Sequence, residues 1–261
     1  MVPFVKTQAL GNDFLLVDEA ASGIPRDYPE LARRICDRYF GVGADGLILW
    51  KRQDDRFPIR IFNRDGSEAE CSGNGLRCVA AYLIQSGVWP ESEIRLETIS
   101  GLYTLRQLGD QYEADMGSPQ VLFINRPLVI HEETVNATAC STGNPHCSLF
   151  VDRLDDRYVE RIGPQLERHS LFPNRTNVEF VHVLNRGEIE VAFWERGVGV
   201  TYASGTGSCG ATVASIVNKK TDRSVIVHTK AGTLRVDWPE NGRLKLTSTA
   251  NIVAEGRYLE L

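Results

Sequence analysis

Apolar and polar positions alternate in short runs along most of this chain. Ile189, Val191 and Phe193 alternate with Glu190, Ala192 and Trp194, and Ile59-Arg-Ile-Phe-Asn63 shows the same period 132 residues earlier. A period of two predicts half-buried strands. Comparable runs predict further strands at 14–17, 47–50, 94–98, 103–106, 148–151, 178–183, 224–228, 233–236 and 252–259. Helical periodicity is scarcer. It predicts an amphipathic helix over 28–38, a short turn over 165–169, and two helices over 74–85 and 206–217. The last two carry Cys78-Val-Ala-Ala-Tyr-Leu-Ile and Cys209-Gly-Ala-Thr-Val-Ala-Ser-Ile-Val, apolar on nearly every face, as expected of a helix buried on all sides. The expected class is α+β, with antiparallel-rich curved sheets, each wrapped around one central helix.

The pattern is duplicated. Gly11-Asn12 returns as Gly143-Asn144, Asp45-Gly46 aligns with Asn177-Val178, Asn63-Arg64 with Glu195-Arg196, and Ser72-Gly-Asn-Gly75 with Ser204-Gly-Thr-Gly207, every pair 132 residues apart. A fifth match, Thr98-x-x-Gly101 with Thr229-x-x-Gly232, is offset by 131. A period near half the chain reads as two copies of one unit rather than a stacked array. It predicts two pseudo-symmetric lobes: residues 1–116, completed by a returning strand within 250–261, and residues 117–249. The link is expected near Met116-Gly-Ser-Pro119, where a strand pattern ends in turn residues.

Composition narrows the partners. The net charge of −5 and the absence of a run of basic residues argue against nucleic acid or an anionic membrane surface. No apolar run approaches the ~20 residues that span a bilayer, and the N-terminus lacks an export pattern, so a cytoplasmic location is expected. The six cysteines form no CxxC pair and the five histidines no HExxH pair, which gives no support for a metal site.

The candidate chemistry lies in the duplicated Ser-Gly-x-Gly motifs. Each stands where a loop enters a buried helix, so its free amides and the positive end of the helix dipole suit a carboxylate or phosphate. The simpler alternative makes Ser72 and Ser204 plain N-caps. Asn12, Asn63, Asn144 and Asn177 sit beside turn glycines, a proline or a strand end and could be ordinary turn residues. Glu195-Arg196 could be a surface pair. Together they describe a pocket for a small zwitterion carrying more than one carboxylate. Pseudo-symmetry suits proton removal from one face of a carbon and return on the other.

Gly11-Asn-Asp-Phe14, Gly41-Val-Gly-Ala-Asp-Gly46, Asn63-Arg-Asp-Gly-Ser-Glu-Ala-Glu70, Gly73-Asn-Gly-Leu-Arg-Cys78, Gly143-Asn-Pro-His146, Asn177-Val178 and Glu195-Arg-Gly197 resemble the diaminopimelate epimerase family, in order and over the whole chain. The resemblance implies two lobes with a substrate cleft between them, no cofactor and a homodimer, acting on LL-diaminopimelate in lysine synthesis. By resemblance, Asn12, Asn63, Asn144, Asn177, Glu195 and Arg196 hold the two amino-acid ends of the substrate. The amides of Gly73, Asn74, Gly205 and Thr206 take the reacting carboxylate, with catalysis at positions 72 and 204.

At those two positions the chain departs from the family, which has a cysteine before each Gly-x-Gly where Ser72 and Ser204 stand here. A thiol of pKa ~8.5 is readily tuned into the working range, whereas a serine hydroxyl needs a partner base, and none is evident nearby in the sequence. Cys71 is one residue out of place and Cys209 lies inside the helix. Val200 replaces a glutamate usual in the family. Two alternatives follow: a related isomerase or dehydratase acting on another small acid, and an amino-acid-binding homologue with weakened catalysis.

Overall fold

The computed structural model describes residues 1–21, 24, 26–131 and 133–259. The two last residues of the expected returning segment, 260 and 261, lie outside that set. The strands are β1 (Val2–Ala9), β2 (Asn12–Asp18), β3 (Gly46–Trp50), β4 (Phe57–Asn63), β5 (Glu68–Ala69), β6 (Glu93–Thr98), β7 (Gly101–Leu108), β8 (Gln111–Gly117) and β9 (Gln120–Ile130). They continue as β10 (Glu133–Ser141), β11 (Pro145–Phe150), β12 (Asn177–Asn185), β13 (Glu188–Glu195), β14 (Gly199–Thr201), β15 (Ser224–Thr229), β16 (Gly232–Asp237), β17 (Leu244–Thr249) and β18 (Asn251–Tyr258). The helices are α1 (Tyr28–Ile35), α2 (Gly73–Gln85), α3 (Asp156–Glu167) and α4 (Gly205–Val217). The chain divides into two compact units, Met1–Ala114 with Ser248–Leu261, and Asp115–Thr247.

Both units repeat one topology. In the first, strands pair in the order β18-β1-β2-β3-β4-β6-β7-β8, with parallel steps at β2–β3 and β4–β6 and β5 folded back on β4. In the second the order is β9-β10-β11-β12-β13-β15-β16-β17, with parallel steps at β11–β12 and β13–β15 and β14 folded back on β13. The strand β18, last in the chain, occupies in its unit the place β9 occupies in the other.

Each sheet has a helix on either face. In the first unit α2 touches β1, β2, β6, β7 and β18, and Asn74 to Ala81 are all buried. In the second α4 touches β9 to β13, β15 and β16, and Gly207 to Ser215 are all buried. On the opposite faces α1 packs Leu31, Ala32 and Ile35 against Leu15, Leu47 and Phe62, and α3 packs Val159, Ile162 and Leu166 against Leu149, Val178 and Phe180. Strands covered on both sides read as unbroken apolar runs, as in β3. This is the expected α+β class: antiparallel-rich sheets around central helices.

Several local expectations need correction. The first helix stops at Ile35 rather than at residue 38, because the chain turns at Asp37, whose carboxylate accepts the amides of Tyr39 and Phe40, and Arg38 is drawn to Asp13 and Asp45. The turn expected over 165–169 overlaps the end of a twelve-residue helix, α3. Pro164 disguises that helix, but burial of Val159, Ile162 and Leu166 outweighs the ~3 kcal/mol a proline costs inside one. The alternation does not predict β1, β5, β8 to β10, β14 or β17. Along β9 and β10 register shifts at Ala137/Ala139 and Ala139/Cys140, with Asn125 at φ 47°, break the period of two.

Candidate active site

The helices α2 and α4 start in the same way. Ser72 (φ −142°, ψ 114°) and Ser204 (φ −139°, ψ 123°) are extended N-cap residues. Ser72 Oγ accepts the Gly75 amide at 3.1 Å and Ser204 Oγ the Gly207 amide at 3.2 Å. Both serines are therefore N-caps, contributions of typically about 1 kcal/mol each. Capping leaves the anion-binding capacity intact, since the amides of Gly73, Asn74, Gly205 and Thr206 precede the first intrahelical donors, Leu76 and Ser208. The last glycine of each motif is required by close approach. A Cβ at Gly207 would stand 2.9 Å from the Phe193 ring, and one at Gly75 2.9 Å from Ile48 Cδ1.

In the first unit Asn12 and Asn74 meet: Asn74 Nδ2 donates to Asn12 Oδ1 at 3.2 Å, and Asn12 Nδ2 donates to Asp45 Oδ2 at 2.8 Å. Arg77 runs back along α2 to donate to the Asn74 side chain and, at 3.2 Å, to the Gly73 carbonyl. Asp45 also accepts from Arg38, which bridges to Asp13 at 2.8 Å. Burial raises the Asp13 carboxyl pKa, but hydrogen bonds and charge from Arg38 and Lys6 outweigh it and hold it below the usual range. Asn63 is exposed at the end of β4 and donates to Ser67 at 2.9 Å.

The second unit gathers the remaining candidates around α4. Asn144 Nδ2 lies 3.5 Å from Thr206 Oγ1. Asn177 is buried; its Nδ2 donates to the Pro145 carbonyl at 2.9 Å and its Oδ1 accepts the Arg196 amide at 3.0 Å. The Arg196 guanidinium is directed elsewhere, donating to the Asn174 carbonyl at 3.2 Å on the surface. Glu195 accepts the Thr201 hydroxyl at 2.6 Å. Burial raises the Glu195 pKa, partly countered by Thr201, by the His146 side chain and by the Ser204 hydroxyl, which is near enough to stabilise its charged form.

Ser204 Oγ itself is engaged with the Gly207 amide, and the hydrogen bond that holds the Glu195 carboxylate comes from Thr201. Glu195 ends β13 nine residues before Ser204, and the antiparallel β13–β14 pair reverses the chain between them, with Glu195 opposite Gly199. Val200, across the strand pair from Trp194, is exposed. Within the first unit, among the described residues, no carboxylate pairs with the Ser72 hydroxyl.

The thiols do not substitute for the serines. Cys71 is held among Tyr103, Ser100, Thr98 and the Ser72 backbone, and burial raises its pKa. Burial pushes Cys36 and Cys78 up to about 12 and raises Cys140 and Cys147 as well, so these thiols are inert. Cys209 is buried within α4.

Sequence reasoning missed Asp45, Thr201 and a fully buried pair, His146 and Glu179, whose side chains approach to 2.6 Å. The available signal was Glu179 itself, one charged residue inside the apolar run Val178-Glu-Phe-Val181. Among the described residues no helix is long and apolar enough to cross a membrane.

The sequence profile of the diaminopimelate epimerase family matches residues 4–122 and 138–253. Diaminopimelate epimerases of Moorella thermoacetica and Pelotomaculum thermopropionicum are 41% and 43% identical, each match covering 98% of both chains. Among solved structures the chain resembles a predicted epimerase from Pseudomonas aeruginosa (TM-score 0.73, 15% identity, 100% of both chains). It also resembles a probable proline racemase from Agrobacterium radiobacter (TM-score 0.74, 14% identity, 98% of this chain and 92% of that one), a likeness that concerns the fold alone. With one topology repeated twice, the capped Gly-x-Gly helices in both copies and close relatives over nearly its full length, this chain belongs to the diaminopimelate epimerase family.

Proposed function

We propose that this chain interconverts LL- and meso-diaminopimelate by moving the proton of an α-carbon, without a cofactor. The observation that carries the reading is the pair of matching helix N-termini, Ser72 and Ser204 each capping a Gly-x-Gly helix, in a chain 41% and 43% identical over nearly its full length to two diaminopimelate epimerases. In this reading the amides of Gly73, Asn74, Gly205 and Thr206 bind the reacting carboxylate and stabilise charge that develops on it as the proton leaves. Ser204, drawing on Glu195, and Ser72 are the acid and base. Asn12, Asn63, Asn144, Asn177, Glu195 and Arg196 form the remaining polar contacts to the substrate. Proton NMR of LL-diaminopimelate in D₂O with this protein tests it. The α-proton signal should disappear while the meso isomer accumulates, and no exchange at high protein concentration would falsify the proposal.

A weakened, binding-only homologue is the second reading, favoured by one observation: the Ser72 hydroxyl accepts from Gly75 and has no carboxylate partner in its own unit among the described residues. The proposal also includes a cytoplasmic homodimer. Leu122, Ile124 and Val129 stand exposed along β9, a row that supports self-association. Sedimentation velocity at micromolar concentration should give a dimer, and a monomer there would remove that part.

A further inference from the structure

The two units hold an equivalent asparagine with opposite chemistry. Phe14, Leu16 and Leu47 of the first unit, all buried, correspond at the 132-residue offset to His146, Ser148 and Glu179 of the second, which are equally buried. Polar and ionisable side chains where the sister unit uses three apolar ones carry a desolvation cost that packing alone does not require. Their hydrogen bonds show what they arrange. Glu179 Oε1 lies 2.6 Å from His146 Nδ1, and Oε2 accepts the Ser148 hydroxyl at 2.9 Å. The other ring nitrogen, Nε2, lies 2.8 Å from Asn144 Oδ1. An amide oxygen only accepts, so Nε2 bears a proton. The Thr142 hydroxyl donates to the same oxygen at 3.5 Å. The oxygen of Asn144 is thus held inward, and its Nδ2 keeps one long contact, 3.5 Å to Thr206 Oγ1. Asn12 shows the reverse arrangement: its Nδ2 is committed to Asp45 at 2.8 Å and its oxygen to Asn74 at 3.2 Å.

We propose that Glu179, acting through His146, is a positioning residue that locks the Asn144 amide with its N–H groups free to donate to a carboxylate of the ligand. The Glu179 carboxylate accepts from Nδ1–H and fixes the ring, so that Nε2–H is aimed at Asn144 Oδ1 and both ring nitrogens donate. Without that lock the amide can turn over and present its oxygen, which repels a carboxylate. The identity of the ligand rests on the proposed function; the lock itself does not.

Nitrogen-15 NMR of the intact protein, combined with calorimetric titration of diaminopimelate, tests the lock. The wild-type protein should show His146 protonated at Nε2 and one set of Asn144 side-chain amide signals. Glu179→Leu and His146→Phe, which copy residues of the first unit, should shift or double those signals and weaken diaminopimelate binding about ten-fold or more, the size of one hydrogen bond to a charged group. An unprotonated Nε2 in the wild-type protein overturns the lock, and that measurement needs no variant to fold. Unchanged Asn144 signals and affinity in both variants overturn it too. A wild-type protein that binds no diaminopimelate overturns the functional reading instead, while the Nε2 and amide signals still decide the lock.

Discussion

Installing a thiol at each cap, Ser72→Cys together with Ser204→Cys, is expected to raise turnover of LL-diaminopimelate by about 10²–10⁴-fold, or ~3–5 kcal/mol of barrier. Both side chains already occupy N-cap positions in which Oγ accepts an amide at the start of a helix. Sulfur placed there meets the same positive helix end, which lowers a thiol pKa towards the working range. The remaining cysteines cannot contribute the same effect, because burial raises the pKa of Cys71 and the other buried thiols with resolved shifts. Single replacements should give only part of the gain, since removal and return of the proton are separate tasks. The measurement is the initial rate of meso-isomer formation with protein of verified fold. An unchanged rate in the doubly substituted protein would show that proton transfer does not run through positions 72 and 204.

Glu195→Gln is expected to lower turnover by about 10²–10⁴-fold and to abolish the acidic limb of the pH–rate profile. Burial raises this carboxyl above the ordinary glutamate value of about 4.3, and only its ionised form can draw the Ser204 proton. Activity should therefore rise with pH through that raised value. Stability has the opposite sign. A carboxyl whose folded pKa is raised destabilises the fold fully above that folded pKa, and the cost shrinks as pH falls through it and is gone below the unfolded pKa. Glu195→Gln should thus leave the melting temperature unchanged or higher at neutral pH, although turnover collapses. A lowered melting temperature together with a retained acidic limb would make Glu195 a structural residue.

Much of this site was visible in the sequence because it is built from local signals. A serine before Gly-x-Gly marks a helix N-terminus wherever it occurs, and the 132-residue repeat of that motif indicated two such termini. Asn12 and Asn74 were both among the candidates, but not their contact, which depends on β1, β2 and α2 packing together. Arg196 was named for its guanidinium, whereas the structure uses its backbone amide to hold Asn177 and turns the charged group to Asn174. Helix α3 was reduced to a turn because a proline is a strong local signal and the burial that overrides it is not local.

The sequence by itself determined the class, the duplication, the capped helices and the family, because period, turn chemistry and motif spacing are properties of neighbouring residues. Only the tertiary structure decided which partners the polar groups have. The proximity of Glu195 to Ser204 depends on a strand pair folding back, and the contact of Glu179 with His146 depends on two parallel strands meeting in register. Burial, ahead of any hydrogen bond, sets the acidity of Glu195, and the contact with His146 orients the Asn144 amide. Both depend on burial and on groups distant in the chain, and neither is written in any one stretch of it.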